Sequence, residues 1–124
     1  GLVPTAPPAT ALRQRVVSLD GKPVRSGTGR AVAVDDAISL RQLKPGDVVV
    51  VPGLSAASEP AIERLLARSD VAPGLELLRR AADKRVLLAA SCSATFLLAE
   101  AGLLAGRSGT TNWWLAPTFA RRFP

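Results

Sequence analysis

Val86-Leu87-Leu88-Ala89-Ala90-Ser91-Cys92-Ser93-Ala94-Thr95-Phe96-Leu97-Leu98-Ala99 is the stretch on which the reading of this chain turns. Its first five residues are an apolar run of the kind a parallel strand carries when it is covered on both faces. Ser91-Cys92-Ser93 then interrupts the run with small residues, and a helical segment follows. Small neighbours suit a sharp strand-to-helix turn, where bulk would collide with adjacent backbone. A side chain on such a turn is pushed clear of the sheet, as in a nucleophile elbow. Cys92 is the only cysteine of the chain. The following helix aims its amide-rich end at the same spot and favours negative charge there.

Outward from the elbow, strands and helices alternate in the α/β manner. Arg15–Leu19 reads as a short strand and Asp20–Pro23 as a turn. Ser26-Gly27-Thr28-Gly29-Arg30 could pass for a phosphate cradle, but Ala31–Val34 after it reads as a strand, whereas a phosphate loop must open a helix. Asp47–Val51 is the clearest buried strand and ends in a Pro52-Gly53 turn. Ser58 caps a helix that has Pro60 in its first turn and runs to about Arg68. A second helix is expected from about Pro73 to Lys84, with Leu75, Leu78 and Ala82 on its apolar face. Gly102 closes the helix after Cys92, and Ala116–Arg122 forms a short amphipathic helix. If the two long strands are parallel, Pro52-Gly53 and Ser91-Cys92 meet at the carboxyl edge of one sheet, where open α/β sheets bind ligands.

Composition narrows the classes. At 124 residues, 48% hydrophobic and 21% charged, the chain is one globular domain or part of one. No apolar stretch approaches the length that crosses a membrane. The start, Gly1 to Pro8, lacks the pattern of a signal peptide, and residues 1–14 read as a flexible arm or linker. One cysteine cannot form an internal disulfide, which points to the cytoplasm. The lack of methionine implies a processed, engineered or partial chain, and the lack of histidine rules out a cysteine–histidine pair within it. One cysteine, no histidine and no clustered acids leave too few ligands for a metal, and no cofactor is called for. The net charge of +6 sits at the ends: five basic and one acidic group in residues 1–30, three basic and none acidic in residues 101–124. No basic helix with interleaved aromatics is present, so direct nucleic-acid binding by these residues is not expected.

Three segments carry a resemblance: Asp47–Gly53; Ala90 to Arg107, with its cysteine elbow, helix and Ala101-Gly102-Leu103-Leu104-Ala105-Gly106-Arg107 loop; and Thr110-Thr111-Asn112-Trp113 with Phe119-Ala120-Arg121-Arg122-Phe123-Pro124. From about Arg15 to Pro124 the chain resembles the PfpI superfamily, and most of all the sensor domains that precede an AraC-type helix-turn-helix in bacterial regulators. The resemblance implies a three-layer, mostly parallel, flavodoxin-like sheet of the class I glutamine amidotransferase type. It also implies that residues 15–124 are a partial domain, truncated at both ends. DNA contact would then fall to a C-terminal domain absent from these residues, and the chain would pair as a homodimer. Departures from the family pattern bear on chemistry. Ser93 and Ala94 stand where threonine and glycine are usual, Leu54 replaces the second glycine of a P-G-G turn, and Asn112 replaces a histidine. Asparagine exchanges hydrogen bonds but is no base near neutral pH.

Three roles for Cys92 follow. In the first, a non-catalytic pocket made of Gly53, Leu54, Ser91, Cys92, Ser93, Thr111, Asn112 and Trp113 senses a small polar metabolite with an apolar portion. In the second, Cys92 is the nucleophile of an amidase, hydratase or deglycase, with the Ser93 and Leu54 N–H groups as oxyanion hole. In the third it is a redox sensor. As plain structure, Cys92 would be a small buried hydrophobe, Ser91 and Ser93 helix caps, and Trp113 and Trp114 packing residues.

Overall fold

In a computed structural model that describes residues 12–124, polar turns cut the N-terminal part of the chain into two-residue strands. These are β1 (Val17–Ser18), β2 (Val24–Arg25), β3 (Ala31–Val32) and β4 (Asp36–Ala37). Most of the expected arm lies outside the described residues. Asp20 shapes the turn after β1. Its carboxylate accepts the Lys22 backbone N–H at 2.9 Å and the Ser18 hydroxyl at 3.3 Å, and the Lys22 amide above all holds its carboxyl below the ordinary range. β1 and β4 pair in parallel, while β2 and β3 form an antiparallel hairpin. Ser26–Arg30 is the tip of that hairpin: the Ser26 N–H donates to the Arg30 carbonyl at 2.8 Å, and Gly29 takes φ +83°. Its glycines therefore serve a turn between strands and open no helix.

The remaining elements are β5 (Val48–Val51), α1 (Glu59–Leu66), α2 (Val71–Asp83), β6 (Leu87–Ala90), α3 (Thr95–Glu100) and α4 (Ala116–Arg122). β5 and β6 run parallel with Val48 opposite Leu87 and Val51 opposite Ala90, so both strands end at the same edge. α1 begins where its cap allows: the Ser58 hydroxyl accepts the Ala61 N–H at 3.3 Å. α2 starts at Val71, earlier than Pro73, and buries Leu75, Leu78 and Ala81 in place of Ala82. It stops on Arg85 at φ +63°, a left-handed position occupied without glycine. α3 ends with Gly102 at φ +79°. The Leu103 N–H donates to Leu98 at 3.0 Å and the Gly102 N–H to Ala99 at 2.9 Å, a Schellman closure.

Phe96, fully buried, anchors the core with Ala56, Ile62 and Leu115. The rings of Phe119 in α4 and of Phe123 just after it meet it edge-on at 5.1 and 6.1 Å. The central sheet departs from expectation. The apolar runs predicted strands covered on both faces, yet Val48, Val50 and Leu87 are 57%, 62% and 61% exposed, whereas Val49, Val51, Leu88 and Ala90 are half-buried. Among the described residues the helices cover only one face, and an unbroken apolar run does not say which of its faces has a cover. The strands also form three separate pairs in place of one continuous sheet.

Candidate functional site

Parallel pairing of β5 and β6 brings two turns side by side at their carboxyl ends. The Ser91 N–H donates to the Val51 carbonyl at 3.1 Å, which fixes the end of the ladder. Pro52-Gly53-Leu54 then turns away on one side and Ser91-Cys92-Ser93 on the other. A Cβ on Gly53 would lie 3.2 Å from the Cys92 Cβ, so the two turns approach as closely as glycine permits. Ser91 is still extended, at φ −110° and ψ 139°, and Cys92 flips to φ +59°. A non-glycine residue in that region is strained and is typically held by its surroundings at a functional turn.

The restraints on Cys92 are visible. Its carbonyl accepts the Thr95 hydroxyl at 2.7 Å and the Thr111 hydroxyl at 3.1 Å. Its side chain stands exposed, as an elbow requires. One 3₁₀ turn, Cys92–Ala94, comes before α3, which is only six residues long. The helix field at the elbow is correspondingly that of a short element.

Ser93 does something the sequence does not announce. It is 1% exposed, and its hydroxyl accepts the Leu54 N–H at 3.0 Å while donating to the Leu54 carbonyl at 2.7 Å. One side chain thus clamps the second turn to the first. The Leu54 N–H, considered above as an oxyanion donor, is committed to that clamp. The Ser93 hydroxyl likewise faces protein backbone and not the elbow's open side.

The eight expected residues therefore fall into two groups. Gly53, Leu54, Ser91, Cys92, Ser93 and Thr111 are drawn together by the contacts above. Asn112 is half-buried, and its carbonyl accepts the Leu115 N–H at 3.0 Å to start the 3₁₀ turn Trp113–Leu115. Trp113 is 82% exposed and packs only edge-on against Trp114, with centroids 5.8 Å apart, so it forms no wall over Cys92. Thr95 belongs to the site and was not anticipated. Its signal was a hydroxyl three residues after the elbow, within reach of the preceding carbonyl. Two surface cavities of about 220 and 260 Å³ lie against α1, and none of the eight residues lines either. The elbow is an open shelf.

The sequence pattern of the DJ-1/PfpI family matches residues 8–121. The chain belongs to the DJ-1/PfpI family. Its α/β order and parallel β5–β6 pair with a cysteine elbow are those of that family's flavodoxin-like, class I glutamine amidotransferase-like fold. Among curated proteins it is 38% identical over 112 residues to an uncharacterized protein in the cpoL 5′ region of Streptomyces lividans, covering 90% of this chain and 72% of that protein. It is 35% identical over 117 residues to the HTH-type transcriptional regulator CdhR of Pseudomonas aeruginosa, covering 94% of this chain but 31% of the regulator. No solved structure is a significant match. Among the described residues no helix is long and apolar enough to cross a membrane, and no three His, Cys, Asp or Glu side chains are grouped as metal ligands.

Proposed function

We propose that this family domain is the effector-sensing part of a bacterial transcription regulator of the AraC type and performs no chemistry itself. The state of the elbow carries the reading. Cys92 is presented at φ +59°, while the Leu54 N–H is bonded to Ser93 at 3.0 Å and the chain holds no histidine. The presenting geometry is kept, whereas a histidine to activate the thiol is lacking and one of the two oxyanion donors, the Leu54 N–H, is already bonded. Similarity to a regulator across 94% of the chain supports the same reading. The effector is a small polar metabolite with an apolar portion. It would sit on the shelf formed by Gly53, Cys92, Thr111 and Asn112. The chain would act as a cytoplasmic homodimer, and DNA would be bound by a separate helix-turn-helix domain. Regulation follows if the effector binds one dimer arrangement better than another.

The test is a screen of metabolites for a rise in melting temperature, repeated on Asn112→Ala, followed by DNA-binding anisotropy of the regulator with and without each hit. A hit that loses its shift in Asn112→Ala and alters DNA affinity supports the reading. Hits that leave DNA binding unchanged argue against it.

A second reading is favoured by the exposure and strain of Cys92: a cysteine-dependent amidase, hydratase or deglycase. It requires rapid alkylation of Cys92 by iodoacetamide near neutral pH, and a Cys92→Ser variant without activity. Slow alkylation removes both this reading and the redox one.

A further inference from the structure

We propose that a cleft between Ser55 and α1 is a second ligand site, taking the oxyanion group (carboxylate or phosphate) of a small molecule. The cleft holds about 260 Å³ and is lined by Ser55, Ala56, Ala61, Arg64, Leu65 and Arg68. Ala61, Arg64 and Leu65 share one face of α1, and Arg68 follows a turn later, just beyond the helix. α1 sorts its charges by side. Glu59 and Glu63 face α4, where Arg121 and Arg122 hold them at 2.7 and 3.4 Å. The arginines line the opposite flank.

Arg64 has no carboxylate within ion-pair distance among the described residues. Arg68 pairs with Asp70 through Nε at 3.1 Å and Nη2 at 2.8 Å, a solvent-exposed ion pair that leaves Nη1 for another acceptor. Ser55, an exposed residue, lines the other side of the cleft. Gly27, at the hairpin tip, leaves the Ser55 hydroxyl its space: a Cβ there would lie 1.9 Å from the Ser55 Oγ. Together these place an arginine paired to Asp70, an arginine with no carboxylate partner among the described residues, and a serine around a cleft with an apolar floor of Ala56, Ala61 and Leu65. The C-terminal end of α1 and the Asp70 carboxylate both oppose an anion, so Arg64, which has no carboxylate partner among the described residues, supplies most of the attraction through charge-assisted hydrogen bonds. None of the elbow residues lines this cleft, so the site stands whether or not the shelf at Cys92 binds an effector.

The test is a titration of the full chain with inorganic phosphate at constant ionic strength, read by NMR of backbone amides and arginine Nε–H groups. Saturable shifts centred on Ser55, Arg64 and Arg68 are expected. Affinity should fall about tenfold or more in Arg64→Gln, with partial retention in Arg64→Lys, because a lost pair of charge-assisted bonds removes about that much. The amide spectrum of each variant shows that it is folded. A parallel titration with acetate fixes the class: preference for either anion supports the site. Shifts that never saturate, centre on Arg121 and Arg122, or persist unchanged in Arg64→Gln overturn it.

Discussion

Ser93 and Cys92 are neighbours with opposite fates, one sealed and one presented. The Ser93 hydroxyl satisfies both the N–H and the carbonyl of Leu54, at 3.0 and 2.7 Å, so the bond network holds the Gly53 turn against the elbow. Ser93→Ala removes both bonds and leaves a part-buried amide unpaired, which costs about 1–3 kcal/mol. Urea unfolding should show a lower midpoint with an unchanged slope. The same substitution frees the Leu54 N–H, so it tests whether that amide matters to any ligand placed at Cys92. The elbow itself was legible from its small residues, but the clamp was not. A serine at a helix start reads as a cap until the structure shows its partner thirty-nine positions away.

α1 and α4 meet along a seam that combines rings and ion pairs, and the two contribute unequally. Arg121–Glu59 spans 2.7 Å but both side chains are about half exposed or more, so solvent screens it. Arg121→Gln should change stability by no more than about 1 kcal/mol, and less at high salt. Phe96→Ala should cost about 3–5 kcal/mol, because it opens the core where Phe119 and Phe123 pack. Denaturant midpoints of the two variants separate the effects. α1 and α4 were readable in advance through Ser58, Pro60 and the amphipathic spacing of residues 116–122, with bounds within two residues. Their seam was not, since nothing local says that Glu59 and Arg121 will face each other. α2 ends at Asp83, within one residue of the expected Lys84, although Arg85 and not glycine takes the left-handed position beyond it.

At the scale of the molecule, the β5–β6 sheet has, among the described residues, one covered and one open face. Val50, 62% exposed, should tolerate threonine within about 0.5 kcal/mol. Ile62, 1% exposed, should lose about 2–5 kcal/mol on truncation to alanine. Equal effects in denaturant unfolding would show that the outer face is covered in solution. From β5 onward the order of elements and the elbow followed from local pattern, because apolar runs, small residues, caps and closing glycines are written within a few positions of where they act. The parallel relation of the two main strands entered as a condition that the structure meets, and the two-residue strands β2 and β4 were not anticipated. Three things were decided only by tertiary structure. No described residue covers the sheet's outer face, the Leu54 amide is taken by Ser93, and Trp113 is exposed. Each depends on which surfaces are brought together across long stretches of chain. A run of valines or a pair of tryptophans records only that a side chain is apolar, and the packing of distant segments determines whether anything covers it.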